Sequence, residues 1–364
     1  MKFEKIEYLC WAKSREQFSI DLARSGMECP PLSENYLEEW KGAVNGPHPY
    51  GYAPFIEKLS RRFSVDKNNI VPALGTSSAI FFVCAALLEP GDEVVVEKPS
   101  YESLRAVPRS FGAVLRRLDR TFEEGFSVNP DRLSSLLNAR TRLVMLTNLH
   151  NPSGVLIPRA VMKETAKMLA SKKIFLFVDE IYLEFMEEEL GKTMFSLGDH
   201  IITASSLTKV YGLGGLRSGW VFAPSRLAEK IRTIIDHVYV EGVFSGERFA
   251  YLLLDRLEEI HKTNRKLIER NFSLVREFVR SAKNLEYVEP DGGVVCFPRV
   301  EGNKRGDTVA EILLREHGTR IVPGSFFEHP DFFRLGFGVK TSELRRGLKN
   351  LRAVLDGPLK VNGF

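Results

Sequence analysis

Cysteine is scarce in this chain: four residues, Cys10, Cys29, Cys84 and Cys296, in a total of 364. None is spaced as CxxC, which argues against a disulfide framework and against a thiolate metal site. Reduced thiols in a cytoplasmic protein are the expectation. Long apolar runs are missing too. The longest candidate, Ala79 to Leu88, falls well short of the ~18 residues of a membrane span and stops at Pro90-Gly91. The start, Met1 to Glu7, carries no apolar signal core. Nor is there a basic tract. The net charge is +4, and the arginines come as pairs, Arg61-Arg62, Arg116-Arg117 and Arg345-Arg346, which read as solvated surface. Nucleic acid is therefore not an expected partner. No metal-ligand cluster stands out, and there is no internal repeat.

What is present is an alternation. Short β-branched runs follow one another from about residue 69: 69–74, 93–97, 113–118, 142–147, 174–178, 201–205 and 219–223. Helical patterns separate most of them, one opened by Pro130 at its favoured first position. This order predicts βαβ units and a largely parallel sheet, with strands buried on both faces. Ligands in such sheets bind in the loops after the strand carboxyl ends. After about residue 225 the pattern changes to a long helical region up to about Ala282. Short strands, a helix at 308–317 and a final helix at 342–355 follow, as in a smaller α+β domain.

The loops after the predicted strands hold the chemistry. Lys209 follows the run 201–205 and sits among Ser205, Ser206, Thr208, Gly212, Gly214 and Gly215. A lysine that forms a Schiff base must be partly desolvated or near positive charge, and the glycines allow close backbone approach. Arg217, eight residues on, has a planar fork suited to phosphate. Asp179 ends an apolar strand. A carboxylate there needs a cation, such as a pyridinium nitrogen, although a helix N-cap or magnesium ligation would also suit it. Tyr182 lies three residues further. Asn151 stands in the turn Asn151-Pro152-Ser153-Gly154. Gly75-Thr76-Ser77-Ser78 opens a helix whose N-terminus suits an anion, or is ordinary capping. Tyr101 could stack on a flat ring.

The order Gly75-Thr76-Ser77, Tyr101, Asn151-Pro152-Ser153-Gly154, Asp179-x-x-Tyr182, Ser206-x-x-Lys209 and Arg217 resembles the class I/II aminotransferases of fold type I, which depend on pyridoxal 5'-phosphate (PLP). The likeness runs from about Leu22 to the C-terminus. It implies a large domain at 43–265 with a mostly parallel seven-stranded sheet, a small α+β domain at 266–364, and a segment 1–42 packed with the latter. It implies that Lys209 binds the cofactor aldehyde and moves protons, that Asp179 pairs with the ring nitrogen, and that Asn151 and Tyr182 contact the phenolic oxygen. Tyr101 would stack on the ring, and Gly75, Thr76, Ser77, Ser206 and Arg217 would hold the phosphate. Arg334, in Phe332-Phe333-Arg334-Leu335-Gly336-Phe337, would grip the substrate α-carboxylate, with Gly26 in a loop that closes over it. A homodimer is implied as well, with Tyr50 or Tyr52 reaching the partner's phosphate; Tyr50 is the first candidate.

The expected reaction moves the amino group of an amino acid to a 2-oxo acid. A PLP-dependent lyase, decarboxylase or cyclase would use the same cofactor residues. A dinucleotide-binding oxidoreductase fits poorly, because Arg217 stands where the third fingerprint glycine belongs. A regulatory protein on this scaffold would need a DNA-binding module for which the chain has no spare segment. No second arginine stands out for a side-chain carboxylate. Phe244, Phe326 and Phe327 suggest an apolar or aromatic substrate.

Overall fold

The computed structural model describes residues 2–14, 16–30, 45–302 and 304–357. Helix α1 (Glu7–Ala12) and strand β1 (Ile20–Asp21) come first, then α2 (Ala53–Phe63). The alternating part follows as β2 (Ile70–Ala73), α3 (Thr76–Leu87), β3 (Glu93–Lys98), α4 (Ser103–Ser110), β4 (Val114–Asp119), α5 (Pro130–Leu136), β5 (Thr141–Thr147), α6 (Arg159–Ser171), β6 (Phe175–Asp179), β7 (Ile201–Ser206) and β8 (Gly219–Phe222). Then come α7 (Ser225–Asp236), α8 (Phe244–Leu253), α9 (Leu257–Ser281), β9 (Leu285–Glu286), β10 (Val295–Cys296), β11 (Arg299–Val300), α10 (Gly306–His317), β12 (Thr319–Arg320), β13 (Val322–Pro323), β14 (Phe333–Gly336) and α11 (Thr341–Asp356).

Seven strands form one sheet in the order β2-β8-β7-β6-β5-β3-β4. Strand β8 runs antiparallel to both of its neighbours, and the other pairs are parallel. The continuous apolar runs follow from burial on both faces. Val94, Val96, Leu143, Met145 and Phe177 share a core with Ile80 and Val83 of α3 and Ile231 of α7. The alternate residues Val95, Val144, Leu146, Leu176 and Val178 face the other way, onto Met162, Ala166 and Leu169 of α6. Each such side chain contributes roughly 1.5–3 kcal/mol when fully buried. The register sets Thr147 opposite Asp179, and Asp179 opposite Ala204. The carboxyl ends of β5, β6 and β7 are thereby brought side by side.

The C-terminal part has a separate core. Phe333 and Leu335 of β14 pack with Val275 and Phe278 of α9, Val309 and Leu313 of α10, and Leu344 and Leu351 of α11. Ile20, Leu22 and Met27 join this core, and β1 pairs in parallel with β12. The 25-residue helix α9 serves both parts: Leu257 packs with Trp220 and Phe222, and Val275 with the C-terminal core. The helical region expected from 225 to 282 is three helices. The chain leaves α7 through residues 237–243, where Val240 has φ 61°, a left-handed conformation that no helix interior accepts.

Candidate active site

A cavity of about 300 Å³ opens at the carboxyl ends of β5, β6 and β7. Gly75, Thr76, Ser77, Tyr101, Asn151, Asp179, Tyr182, Ser206, Lys209 and Arg217 all line it. Ten residues spread over 143 positions of sequence thus converge because strand ends converge.

Lys209 leaves β7 through a loop and donates from Nζ to Ser25 Oγ at 3.1 Å. Burial draws its ammonium below the ordinary value, and the charges of Arg334 and Arg217 act the same way, against Tyr8 and Asp179. Asp179 is buried at the end of β6, and Oδ1 accepts from the Ile181 N–H at 3.1 Å. Burial pushes its carboxyl up to about 7, with Glu97 adding to the shift and Lys209 opposing it. No ion pair reaches Asp179 among the described residues. Tyr182 lies against the same space, its phenol held up by burial.

At the anion end, Arg217 has φ 53° and donates Nη1 to the Gly214 carbonyl at 3.1 Å and Nη2 to the Leu74 carbonyl. These bonds fix the guanidinium beside the start of α3. Gly75 has φ 91°, and a Cβ there would stand 3.0 Å from Arg217 Nη2. Any other residue would be strained and would press on the arginine. Thr76 and Ser77 then present the open N–H groups of a 12-residue helix. The third member of this end, Ser206, holds the Thr208 N–H at 3.3 Å. Tyr101 is half-buried, and the desolvation of its hydroxyl raises its phenol above the ordinary value.

Arg334 is completely buried on β14. Nη1 donates to Asn151 Oδ1 at 2.8 Å, and Nη2 to the Tyr8 hydroxyl at 2.9 Å and the Ala23 carbonyl at 3.0 Å. Nε finds no partner among the described residues. Among the described residues Arg334 has no carboxylate counter-ion, an expensive arrangement for a buried cation unless a ligand anion completes it. It does not itself line the cavity. Asn151 and Tyr8 stand between, because α1 lays Tyr8 over the guanidinium.

Gly26 lies in an adjoining cavity of about 260 Å³ that shares Lys209. A Cβ on Gly26 would come within 3.0 Å of Lys209 Cα and Cδ, so only glycine lets this loop touch the lysine. Tyr50 lies elsewhere: half-exposed, it donates to Asp236 Oδ2 at 3.4 Å and lines neither cavity. Phe244, Phe326 and Phe327 also stay outside. Phe326 packs on Tyr8 and Trp11, Phe327 on Tyr8 and Phe297, and Phe244 on His48 and Tyr52. Phe326 and Phe327 back the wall through Tyr8, the rings against Phe244 line neither cavity, and the apolar substrate they suggested draws no support from their placement.

Some residues of the site carry no local sequence signal. Tyr8 and Thr147 line the main cavity, as does Ser25 of the covering loop, and the Thr147 hydroxyl is buried without a partner among the described residues. Behind the floor, Glu97 accepts the Thr147 N–H at 2.8 Å and pairs with Arg120 at 2.6 Å, both fully buried. A valine-rich strand interrupted by a glutamate was the available clue to Glu97.

A phosphate-bearing pyridine aldehyde fits these residues. The cradle at Gly75 would be filled by a Cβ, and Asp179 is a buried carboxylate that no ion pair reaches among the described residues. The family model for aminotransferases of class I and II matches residues 32–351. The chain belongs to this family. A capreomycidine synthase from Streptomyces vinaceus is 32% identical, covering 75% of this chain and 71% of that protein. An arginine–pyruvate transaminase from Pseudomonas aeruginosa is 29% identical (79% and 75% covered). An aspartate aminotransferase from Sulfurisphaera tokodaii is 26% identical (82% and 78% covered). A solved PLP-dependent aminotransferase from Streptococcus suis superposes with a TM-score of 0.89 at 25% identity, covering 98% of this chain and all of that one. The protein is thus a fold type I, PLP-dependent aminotransferase that acts on an amino acid and a 2-oxo acid.

Proposed function

We propose that Lys209 is the lysine that holds the cofactor and shuttles the proton at the substrate α-carbon. The observation that carries this reading is the pairing, in one cavity, of an amine made less basic by burial with a buried carboxylate that lacks a cation. When bound, PLP would supply an electron sink for the pair left at the α-carbon. Asp179 keeps the ring nitrogen protonated, since a buried carboxylate is most stable beside a cation. Asn151 turns Oδ1 to Arg334, which leaves its amide N–H groups as donors to the phenolic oxygen, together with Tyr182. Tyr101 covers the ring face. Gly75, Thr76, Ser77, Ser206 and Arg217 hold the phosphate by backbone N–H groups, hydroxyls and one guanidinium. Arg334 takes the α-carboxylate as the Tyr8 hydroxyl gives way, and Gly26 lets the covering loop lie on Lys209. Ser25, within hydrogen-bond reach of Lys209 Nζ, steadies the amine while it carries a proton.

The same reading treats 1–42 as packing with the small domain at 266–364, beside a large domain at 43–265; it is supported by the core that Ile20, Leu22 and Met27 share with β14, while 31–44 and 358–364 lie outside the described residues. It also makes the protein a homodimer. Tyr50, Val238, Val240 and Val243 are exposed on neighbouring loops, an apolar surface suited to a second copy, with Tyr50 extended toward the partner's phosphate. The reading places the protein in the cytoplasm, on the scarcity and unpatterned spacing of its cysteines in the sequence. A second reading, a PLP reaction other than amino transfer, draws on the 32% identity with a synthase.

Absorbance of the loaded enzyme mixed with a panel of amino acids tests the function. Amino transfer requires the cofactor band to convert to that of its amine form, and an added 2-oxo acid to restore it. Conversion without restoration by any 2-oxo acid would favour the second reading.

A further inference from the structure

Arg334 is fully buried and lines neither cavity. A carboxylate coming from the side of Lys209 approaches it past Asn151 and Tyr8, which hold the guanidinium and line the main cavity. Tyr8 stands there although its helix, α1, buries none of its own residues. Contacts from outside the helix fix its place. Glu102 accepts the Glu7 and Tyr8 N–H groups at 3.2 and 2.7 Å, open donors of a first helical turn. The Tyr8 ring lies edge-on to Tyr101 and Phe326, with centroids 6.0 and 5.8 Å away, and Phe327 and Trp11 follow at 6.1 and 6.2 Å. A ring wedged among four others does not swing out cheaply, but its hydroxyl still turns about the C–O bond. That hydroxyl has a proton to give. Oη accepts from Arg334 Nη2 at 2.9 Å, and its own hydrogen meets no acceptor among the described residues.

We propose that Tyr8 is a specificity-determining residue: as an α-carboxylate takes Arg334, the Tyr8 hydroxyl yields its place on Nη2 and donates its proton in a hydrogen bond to the incoming oxygen. The proposal rests on the assignment of Arg334 to the α-carboxylate. The charges around Tyr8 favour this use. Desolvation raises its phenol, yet Arg334, Lys209 and Arg320 together outweigh that and bring it below its ordinary value. A phenol polarised by cations donates more strongly to an anion. Glu102 is spent on the two backbone N–H groups and Asp21 on Arg320, so neither competes for the hydroxyl. A simple amine, lacking the carboxylate, would leave the bond between Arg334 and Tyr8 as it stands and gain nothing from either group. Tyr8 thereby adds to the choice of amino acids over amines. It serves the 2-oxo acid equally, because that molecule carries the same carboxylate.

The test compares the PLP-loaded enzyme with PLP-loaded Tyr8→Phe, which keeps the packed ring and removes only the hydroxyl. Steady-state amino transfer is measured from alanine, leucine, glutamate and arginine to pyruvate and 2-oxoglutarate. Binding is measured by calorimetry for unreactive succinate, which offers a carboxylate without an amine, and by the cofactor absorbance for isopropylamine, an amine without a carboxylate. One charge-assisted hydrogen bond predicts a rise of about 10-fold in KM for the amino acid and for the 2-oxo acid, and an equal weakening of succinate. The kcat changes little, as for an interaction made equally in ground and transition states. Isopropylamine binding is unchanged, which separates a lost hydroxyl from a loosened α1. A KM that stays the same or falls in Tyr8→Phe would overturn the proposal, since the hydroxyl would then only obstruct Arg334. Equal losses for succinate and isopropylamine would do so too, as the mark of a merely structural role. Arg334→Gln, run in parallel, keeps two failures apart. If it also leaves KM and succinate binding unmoved, or if no amino acid is converted by the unaltered enzyme, the reading beneath the proposal fails. If Arg334→Gln raises KM while Tyr8→Phe does not, Tyr8 alone fails.

Discussion

Asp179 and Lys209 enter the cavity from neighbouring strand ends, whereas Tyr8 and Arg334 meet across 326 residues of sequence. The floor of the site is built by the sheet. Asn151, Asp179, Tyr182, Ser206 and Lys209 lie at or a few residues beyond the ends of β5, β6 and β7, and parallel pairing alone brings those ends together. The roof is built by docking. Ser25 reaches Lys209 across 184 residues and Asp21 reaches Arg320 across 299, through the two-residue pairing of β1 with β12. Two strand residues can shift far more readily than the interior of a seven-stranded sheet. On this account the floor carries the reaction and the roof selects what undergoes it.

The sharpest way to break that division is to remove the amine of the floor. Lys209→Ala is expected to lower the amino-transfer rate by about 10⁴-fold, read as single-turnover conversion, with binding of unreactive succinate largely kept. Loss of succinate binding with little loss of rate would reverse the two roles. Next comes Asp179→Asn, with a drop of about 10²–10³-fold for one misplaced electrostatic partner. It also carries a stability signature. The Asp179 carboxyl is at about 7 in the folded protein against an ordinary 3.8. The folded state therefore keeps a proton that the unfolded chain has released, and stability falls as pH rises from about 4 to 7. That shift corresponds to as much as about 4 kcal/mol. Cofactor-free Asp179→Asn should therefore melt above the unaltered protein at pH 8 and close to it at pH 4. Equal melting temperatures at pH 8 would contradict the buried, cation-poor setting described for Asp179.

Beneath the floor, Glu97→Gln leaves Arg120 charged and unpaired in a fully buried position. Denaturant unfolding should show a loss of about 3–5 kcal/mol, far more than a surface pair gives. On the roof, Arg334→Lys keeps the charge but loses the fork that spans Asn151, Tyr8 and Ala23. KM for amino acids is expected to rise about 10–100-fold with a smaller change in kcat. The smallest effect is Ser25→Ala, which removes one hydrogen bond to Lys209 and costs about 1 kcal/mol, or roughly fivefold in rate.

The same division governs what the sequence could reveal. Gly75, Asn151, Asp179, Lys209 and Arg217 were legible because each follows a strand that its own residues announce. The sheet was legible because both-faced burial writes continuous apolar runs. Tyr8 and Arg320 were not, since nothing around them in the chain distinguishes a roof residue from a surface one, and Ser25 was visible only as a neighbour of Gly26 in the covering loop. Arg320 in particular reads as one arginine among many until β12 sets it against Asp21. Glu97 sat in plain view within Val94-Val95-Val96-Glu97, but its partner Arg120 lies on the far side of β4. The break between α7 and α8 hides for a related reason: Val240 has no intrinsic taste for φ 61°, and its neighbours impose it.

One measurement tests the central claim most directly. Borohydride reduction of the PLP-loaded enzyme, followed by peptide mapping, fixes the cofactor to whichever lysine holds it. The account predicts a single labelled peptide carrying Lys209 and no label in Lys209→Ala. A label on any other lysine, or a labelled Lys209→Ala protein, would contradict it.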